Sequence, residues 1–198
     1  MEPFIRHTGR IAILNDDHID TDRIIPARFL SRVTRMGYGE LLFADVRTEG
    51  FVLDQEAARG ASILVAGTNF GCGSSREHAV WALQQAGFRA VIARIAEATK
   101  GFSDIFRQNA ANCGLLLIEL GDADHGAVVD LGTGAEITID LEGQRIETAN
   151  GTFGFEIAVA SKLAILQGLD LIGTTLVFDD AIRAYEQASV AFVPPAAS

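Results

Sequence analysis

The strongest structural signal in the sequence is Ser62-Ile-Leu-Val-Ala-Gly-Thr-Asn-Phe-Gly-Cys-Gly-Ser-Ser-Arg76, together with the ten residues that follow it. Its first five residues form an apolar run, which is typical of a buried strand. A glycine-rich loop follows, and the apolar spacing after it predicts a helix up to Ala86. Ser74 and Glu77 stand in the S-x-x-E relation of a capping box, so the pattern predicts Ser74 as the helix N-cap. The stretch therefore predicts the first half of a βαβ unit.

Strands and helices alternate on both sides of this stretch. Short apolar runs predict strands at residues 11–14, 90–93 and 115–118. Helical patterns occupy residues 28–42, with a break near the glycines at 37 and 39, and residues 102–112. This alternation predicts an α/β fold with a mostly parallel central sheet flanked by helices.

The pattern changes in the last third of the chain. Residues 136–141 alternate between polar and apolar side chains, and turn signals separate them from two further runs, 145–148 and 152–157. This predicts a small antiparallel meander. Two helical patterns, at 161–167 and 179–187, precede a loose tail at 193–198, and we expect residues 1–198 to form a single domain.

Composition excludes several classes of protein. The net charge is −10, and no cluster of Lys and Arg stands out, so nucleic-acid binding is not expected. The N-terminus lacks the pattern of a signal peptide, and no run approaches the roughly 20 apolar residues that span a bilayer. We therefore expect a cytoplasmic protein without a membrane segment. Two cysteines, Cys72 and Cys113, are too few to hold an iron–sulfur cluster.

The glycine-rich loop has the chemistry of an anion site. It leads to a helix N-terminus, whose free N–H groups attract negative charge, and it offers the hydroxyls of Ser74 and Ser75 and the guanidinium of Arg76. The loop has no lysine for a P-loop and lacks the third glycine of a dinucleotide fingerprint. It also lacks the glycine of a serine-hydrolase elbow. These absences favour a carboxylate over a nucleotide.

Residues Asn69-Phe-Gly-Cys-Gly-Ser-Ser-Arg-Glu-His-Ala79 resemble the signature of the small subunit of 3-isopropylmalate dehydratase, a relative of the last domain of aconitase. Other segments of that family are resembled by residues 20–30, 33–39, 170–176 and 179–186. The resemblance covers nearly the whole chain. It implies the swivelling β/β/α fold of the aconitase C-terminal domain and a hydro-lyase that moves a hydroxyl between neighbouring carbons of a 2-hydroxy dicarboxylate in leucine biosynthesis.

The same resemblance implies roles for particular residues. Ser74 would be the catalytic base, Ser75 and Arg76 would bind a substrate carboxylate, and Asp22 and Thr21 would face the site from the early loop. A large partner subunit would carry a [4Fe–4S] cluster whose open iron acts as a Lewis acid. No cofactor or metal is expected on this chain alone.

Some alternatives stay open at this stage. Leu117 and Val80 stand where the family often has proline, and Ile95–Gly101 looks like a short insertion. A related methyl- or dimethyl-substituted malate is a second candidate substrate, and a non-catalytic carboxylate-binding domain is a second candidate function. The cluster of acidic residues and His18 between Asp16 and Asp22 lacks calcium-loop spacing. Asp20 and Asp22 are interpreted as turn formers, with Asp22 also a site residue. His78 and Cys72 are interpreted as structural residues.

Overall fold

The computed structural model describes residues 1–32, 34–74 and 76–188. Its strands are β1 (Arg6–Leu14), β2 (Ala61–Ala66), β3 (Ala90–Ile95), β4 (Leu116–Gly121), β5 (Glu136–Asp140), β6 (Arg145–Thr148) and β7 (Gly151–Gly154). Its helices are α1 (Thr21–Ile24), α2 (Glu77–Gln85), α3 (Asp104–Cys113), α4 (Asp122–Val129), α5 (Val159–Gln167), α6 (Leu171–Leu176) and α7 (Asp179–Ala188). Short 3₁₀ turns occupy Ala27–Phe29, Gly39–Leu41, Val52–Asp54 and Glu56–Ala58.

The seven strands form one sheet in the order β4-β3-β2-β1-β5-β6-β7. The pairs from β4 to β1 are parallel, and those from β1 to β7 are antiparallel. The predicted α/β class, with a parallel sheet followed by an antiparallel meander, is confirmed. The meander is not a separate layer, because β1 pairs with the parallel strand β2 on one edge and with the antiparallel strand β5 on the other.

Both faces of the sheet are covered by apolar side chains. In β2, Leu64 and Ala66 belong to one core cluster, whereas Ile63 and Val65 belong to the other, and all four are fully buried. Successive side chains of a strand point to opposite faces, so the two clusters lie on opposite faces of the sheet. Burial on both faces explains why β2 is apolar throughout instead of alternating with polar residues.

The predicted helix at residues 28–42 is wrong. The structure has only the two 3₁₀ turns there, at 27–29 and 39–41, and Val33 lies outside the described residues. Gly37 adopts a positive φ of 84°, which breaks a helix. Gly39 packs directly on α2, since a Cβ atom on it would lie 2.5 Å from the carbonyl carbon of Gln85. Tertiary packing thus overrides the local helical pattern.

The remaining differences are smaller. The helices predicted at 102–112, 161–167 and 179–187 are present with shifted ends, as α3, α5 and α7. Helix α4 has no counterpart in the sequence prediction, because its run Asp122-Ala-Asp-His-Gly-Ala-Val-Val129 has almost no apolar periodicity. The predicted loose tail at 193–198 lies outside the described residues. In the part of the chain that the structure describes, no helix is long and apolar enough to cross a bilayer.

Candidate active site

The early loop and the glycine-rich loop lie side by side at the carboxyl ends of two parallel strands. β1 and β2 end together, with Leu14 opposite Ala66. Beyond them the loops exchange backbone hydrogen bonds: Gly67 N donates to Asp16 O, and Gly71 N donates to Ile19 O. Ligand sites of open α/β sheets lie at this edge, outside the carboxyl ends of the strands. The fold therefore brings the two predicted site segments together.

Left-handed backbone shapes the glycine-rich loop. Gly71 and Gly73 have φ values of 74° and 84°, and Asn69 has a φ of 54°. Gly71 also lies against the ring of Phe106, where a Cβ atom would approach Cγ to 2.2 Å. Gly71 is therefore required both for its conformation and for the space beside α3.

The loop after β3 supports the glycine-rich loop from its other side. Lys100 O accepts from Asn69 N at 2.9 Å, and Gly101 O accepts from Phe70 N at 2.8 Å. The Ser103 hydroxyl, which also caps α3, donates to Gly71 O at 2.6 Å. The apparent insertion at 95–101 thus contacts the candidate site directly, although sequence reasoning gave it no role.

Ser74 is exposed and does not cap α2, so the predicted capping box is wrong. The N-cap of α2 is Arg76, with extended backbone (φ −96°, ψ 134°) and no side-chain cap hydrogen bond. Glu77 does not reach back to the cap, because its carboxylate accepts from Cys113 Sγ at 3.4 Å. Ser74 therefore belongs to the loop, and Ser75 lies outside the described residues.

Arg76 and Asp22, two predicted site residues, form an ion pair. Arg76 Nη1 lies 2.5 Å from Asp22 Oδ1, and their side chains are 21% and 55% exposed. Asp22 is held by α1, whose N-cap Asp20 accepts from Arg23 N at 2.7 Å. The pair uses one N–H of the guanidinium, which carries five, so the arginine can also donate to an anion.

Thr21 is fully buried, in contrast to its neighbour Asp22. Its backbone N–H donates to Cys72 O at 3.0 Å. Its hydroxyl has no hydrogen-bond partner among the described residues and lies close to Gly73. The structure thus places Thr21 beneath the glycine-rich loop and not at its exposed rim.

A charged group under the two loops was missed by sequence reasoning. Asp17 accepts from Thr68 N at 2.7 Å and from Arg94 Nη2 at 3.0 and 3.1 Å. The hydrogen bond from Thr68, aided by Arg94, lowers the pKa of Asp17 below its ordinary value. Arg94 also contacts Asp122 at 3.3 Å. The sequence feature that could have revealed this contact is Arg94, a charged residue within an apolar strand.

His125, in α4, also contacts the strand end that leads into the glycine-rich loop. Its Nε2 donates to Ala66 O at 2.8 Å, at the end of β2, and the residue is only 2% exposed. Burial lowers the pKa of His125, which favours the neutral ring at neutral pH. This hydrogen bond fixes the carbonyl group of Ala66, which directly precedes the glycine-rich loop.

The two cysteines do not fit the ligand set of an iron–sulfur cluster. Cys72 lies in the loop, with Sγ 3.6 Å from His18 O, whereas Cys113 ends α3. Burial, together with Glu77, raises the pKa of Cys113 to about 12, so this sulfur stays protonated. Within residues 1–32, 34–74 and 76–188, no group of three or more His, Cys, Asp or Glu side chains could hold a metal ion.

Comparisons with known proteins agree on one family. The aconitase C-terminal domain family matches residues 1–123. The small subunits of 3-isopropylmalate dehydratase from Corynebacterium jeikeium and Acidothermus cellulolyticus are 44% and 46% identical to this chain, each over 98% of it and over 97% and 98% of their own lengths.

A solved structure extends the likeness to the fold. The crystal structure of 3-isopropylmalate dehydratase from Methanocaldococcus jannaschii matches with a TM-score of 0.66 and 32% identity, over 92% of this chain and 99% of that one. The resemblance stated from the motif at 69–79 is thus confirmed over nearly the full length. The chain belongs to the 3-isopropylmalate dehydratase small-subunit family, within the aconitase C-terminal domain family.

Proposed function

We propose that this chain is the small subunit of a heteromeric hydro-lyase that interconverts 2-isopropylmalate and 3-isopropylmalate in leucine biosynthesis. The observation that carries the proposal is the position of Ser74. It is exposed on a loop that neighbouring loops hold on both sides, next to the ion pair of Arg76 and Asp22. A reactive side chain on a rigid base is what a small subunit can contribute to a shared site.

Ser74 is proposed as the base that takes the proton from the carbon beside a substrate carboxylate. A serine hydroxyl is a weak base, so its deprotonated form needs stabilisation. Arg76, two residues away, offers positive charge, and free N–H groups at the start of α2 offer partial positive charge. These interactions become stronger when a partner excludes water from the site.

Ser75 and Arg76 are proposed to bind the carboxylate whose neighbouring carbon loses the proton. Asp22 holds one edge of the guanidinium, which fixes the plane in which the remaining N–H groups meet the carboxylate. Thr21 is proposed to act from beneath the loop, where its hydroxyl can support Gly73 once the site closes.

A [4Fe–4S] cluster is proposed to belong to the large subunit, because two separated cysteines on this chain cannot hold it. The cluster supplies a Lewis acid for the leaving hydroxyl. This chain is then proposed to move as one domain, residues 1–198, over the partner's cluster, and to act in the cytoplasm. No role is assigned to nucleic acid or membrane.

The test is anaerobic reconstitution with the large subunit, followed by the rate of 2-isopropylmalate conversion. We expect activity only in the mixture. We expect Ser74→Ala to lower kcat by about 100-fold or more, within the range of general base catalysis. Full activity of Ser74→Ala would overturn the base assignment.

The same assay decides between the alternatives. Faster turnover of a methyl- or dimethyl-substituted malate would change the substrate but keep the reaction. Tight binding of isopropylmalate without turnover, in a mixture with intact cluster, would indicate a carboxylate-binding domain instead.

A further inference from the structure

The C-terminal helices leave large apolar side chains in solvent. Leu171, Ile172, Leu176, Val177, Phe178 and Tyr185 are each at least 60% exposed, and we call these six residues the C-terminal apolar surface. They expose on the order of 700 Å², at about 150–200 Å² for a whole residue, whereas one partner in a standard interface contributes about 800 Å². Six such side chains within 15 positions of the chain favour an interaction site.

Helix α7 makes few contacts with other elements of the described chain. Nine of its ten residues are exposed, and Asp179 is partly buried. Isolated helices shorter than about 12–15 residues are marginal in water. Phe178, Ile182 and Tyr185 stand at the i, i+4 and i+7 positions of one helical face. An apolar face on a short, unsupported helix indicates that another protein covers it.

A cavity beside this surface can accept a large side chain of a partner protein. An open cavity of about 440 Å³ lies between α3 and the helices α5 and α6, beside Leu171 and Thr174. Hot spots of interfaces are large side chains of one partner that fill such pockets of the other.

Charge argues against a second copy of this chain as the partner. Asp170, Asp179, Asp180 and Glu186 border the surface, against one arginine, Arg183, which already pairs with Asp179. Two copies would bring like charges together, which disfavours self-association. The surface instead fits an apolar patch bordered by Lys and Arg.

The surface lies outside the segment that the aconitase C-terminal domain family matches. That family matches residues 1–123, whereas the small-subunit relatives match 98% of the chain. The helices from 159 to 188 thus lie in the part of the chain that is matched by the small-subunit relatives.

From these observations we infer that the C-terminal apolar surface is the docking face for the large subunit, through an apolar patch with a basic rim. This inference rests on the proposed function for the identity of the partner.

The test is the dissociation constant of the full chain for the anaerobic large subunit, with Phe178→Ser/Tyr185→Ser as the variant. We expect at least a tenfold rise in Kd and an unchanged melting temperature of the free chain, because both side chains are exposed. The control is Ile5→Ser, at an exposed apolar position outside the surface; its Kd should stay at the wild-type value.

Three results would overturn the inference. One is an unchanged Kd of the variant. Another is a dimer of the free chain, seen by sedimentation, that the variant abolishes while large-subunit binding persists. The third is a lower melting temperature of the free variant, which would mean that the chain covers its own surface.

The outcomes separate this inference from the proposed function. Activity in the reconstituted mixture with an unchanged Kd of the variant would retain the function and reject the docking face. Binding that depends on Phe178 and Tyr185, without conversion of isopropylmalate, would retain the docking face and reject the function.

Discussion

Arg76 Nη1 lies 2.5 Å from Asp22 Oδ1, although 54 positions separate the two residues in the chain. The contact joins the loop after β2 to the helix that follows the loop after β1. Because neither side chain is fully buried, solvent and substrate can reach both. The ion pair thus links the two segments, and it also forms part of the proposed carboxylate site.

Replacing the planar guanidinium of Arg76 should weaken substrate binding. We expect Arg76→Lys to raise KM and to lower kcat/KM by about 10- to 100-fold, about 1.4–2.8 kcal/mol, because lysine lacks the planar bidentate geometry. Steady-state kinetics with the large subunit measures this. The matched control is Arg6→Lys, at an exposed ion pair with Glu147; a comparable loss there would show that the effect is not specific to the site.

Ser74→Ala should leave stability unchanged. A serine N-cap contributes about 1 kcal/mol, but Ser74 is an exposed loop residue and does not cap α2. Chemical denaturation should therefore give the same free energy of unfolding for both proteins, within about 0.5 kcal/mol. The positive control is Ser103→Ala, which removes the cap of α3 and should destabilise. An equal loss for both variants would contradict the geometry described for Ser74.

Gly71→Ala should destabilise the protein more than Gly60→Ala. Both glycines have positive φ, 74° and 72°, so both substitutions carry about 1–2 kcal/mol of backbone strain. Only at Gly71 does the new Cβ meet a neighbour, the ring of Phe106, whereas Gly60 has open space. Overpacking should add about 1–3 kcal/mol at Gly71, measured by denaturant unfolding. Equal effects would mean that Phe106 does not press on the loop.

Asp17→Asn should reduce stability in a pH-dependent way. The folded state lowers the pKa of Asp17 below its ordinary value of 3.8, so the carboxylate stabilises the fold above that pH. This contribution disappears as the pH falls through the lowered pKa. The difference in free energy of unfolding between wild type and variant should therefore be constant near pH 7 and shrink below pH 3.8. Glu97→Gln, at an exposed residue, is the control and should show no such loss.

Alkylation should distinguish the two cysteines. The pKa of Cys113 is raised to about 12, chiefly by burial, so almost no thiolate forms at pH 8. Burial also raises the pKa of Cys72, but this residue is only partly buried and directly precedes the exposed Gly73 and Ser74. Iodoacetamide should add slowly and once, at Cys72, as read by mass spectrometry of peptides. Preferential addition at Cys113 would contradict the packing of α3 against α2.

Local pattern predicted the parallel half of the fold well. The apolar runs at 62–66 and 90–93 became β2 and β3, because strands buried on both faces have apolar side chains throughout. The prediction failed at residues 28–42, where contact between Gly39 and Gln85 determines the backbone. Such a contact joins distant parts of the chain, and no local pattern contains it.

The same distinction applies to the candidate site. The motif identified Ser74 and Arg76, but their spacing contains nothing about Asp22 as the partner of Arg76. Arg94 and Asp17 were missed because their contact depends on the alignment of β1, β2 and β3. The role of Ser74 as a cap was wrong because Gly71 and Gly73 adopt left-handed backbone before it and the N-cap of α2 is Arg76, two residues later.

The central place of β1 in the sheet has a consequence for synthesis on the ribosome. Arg6 pairs with Asp140, so one edge of the first strand stays without its partner until β5 has been made. At 5–20 residues per second, the delay is of the order of ten seconds. During this time β2, β3 and β4 can already assemble on the other edge, and the open edge of β1 can pair with foreign strands. Newly made chains should therefore depend on chaperones most strongly between the completion of β4 and the arrival of β5.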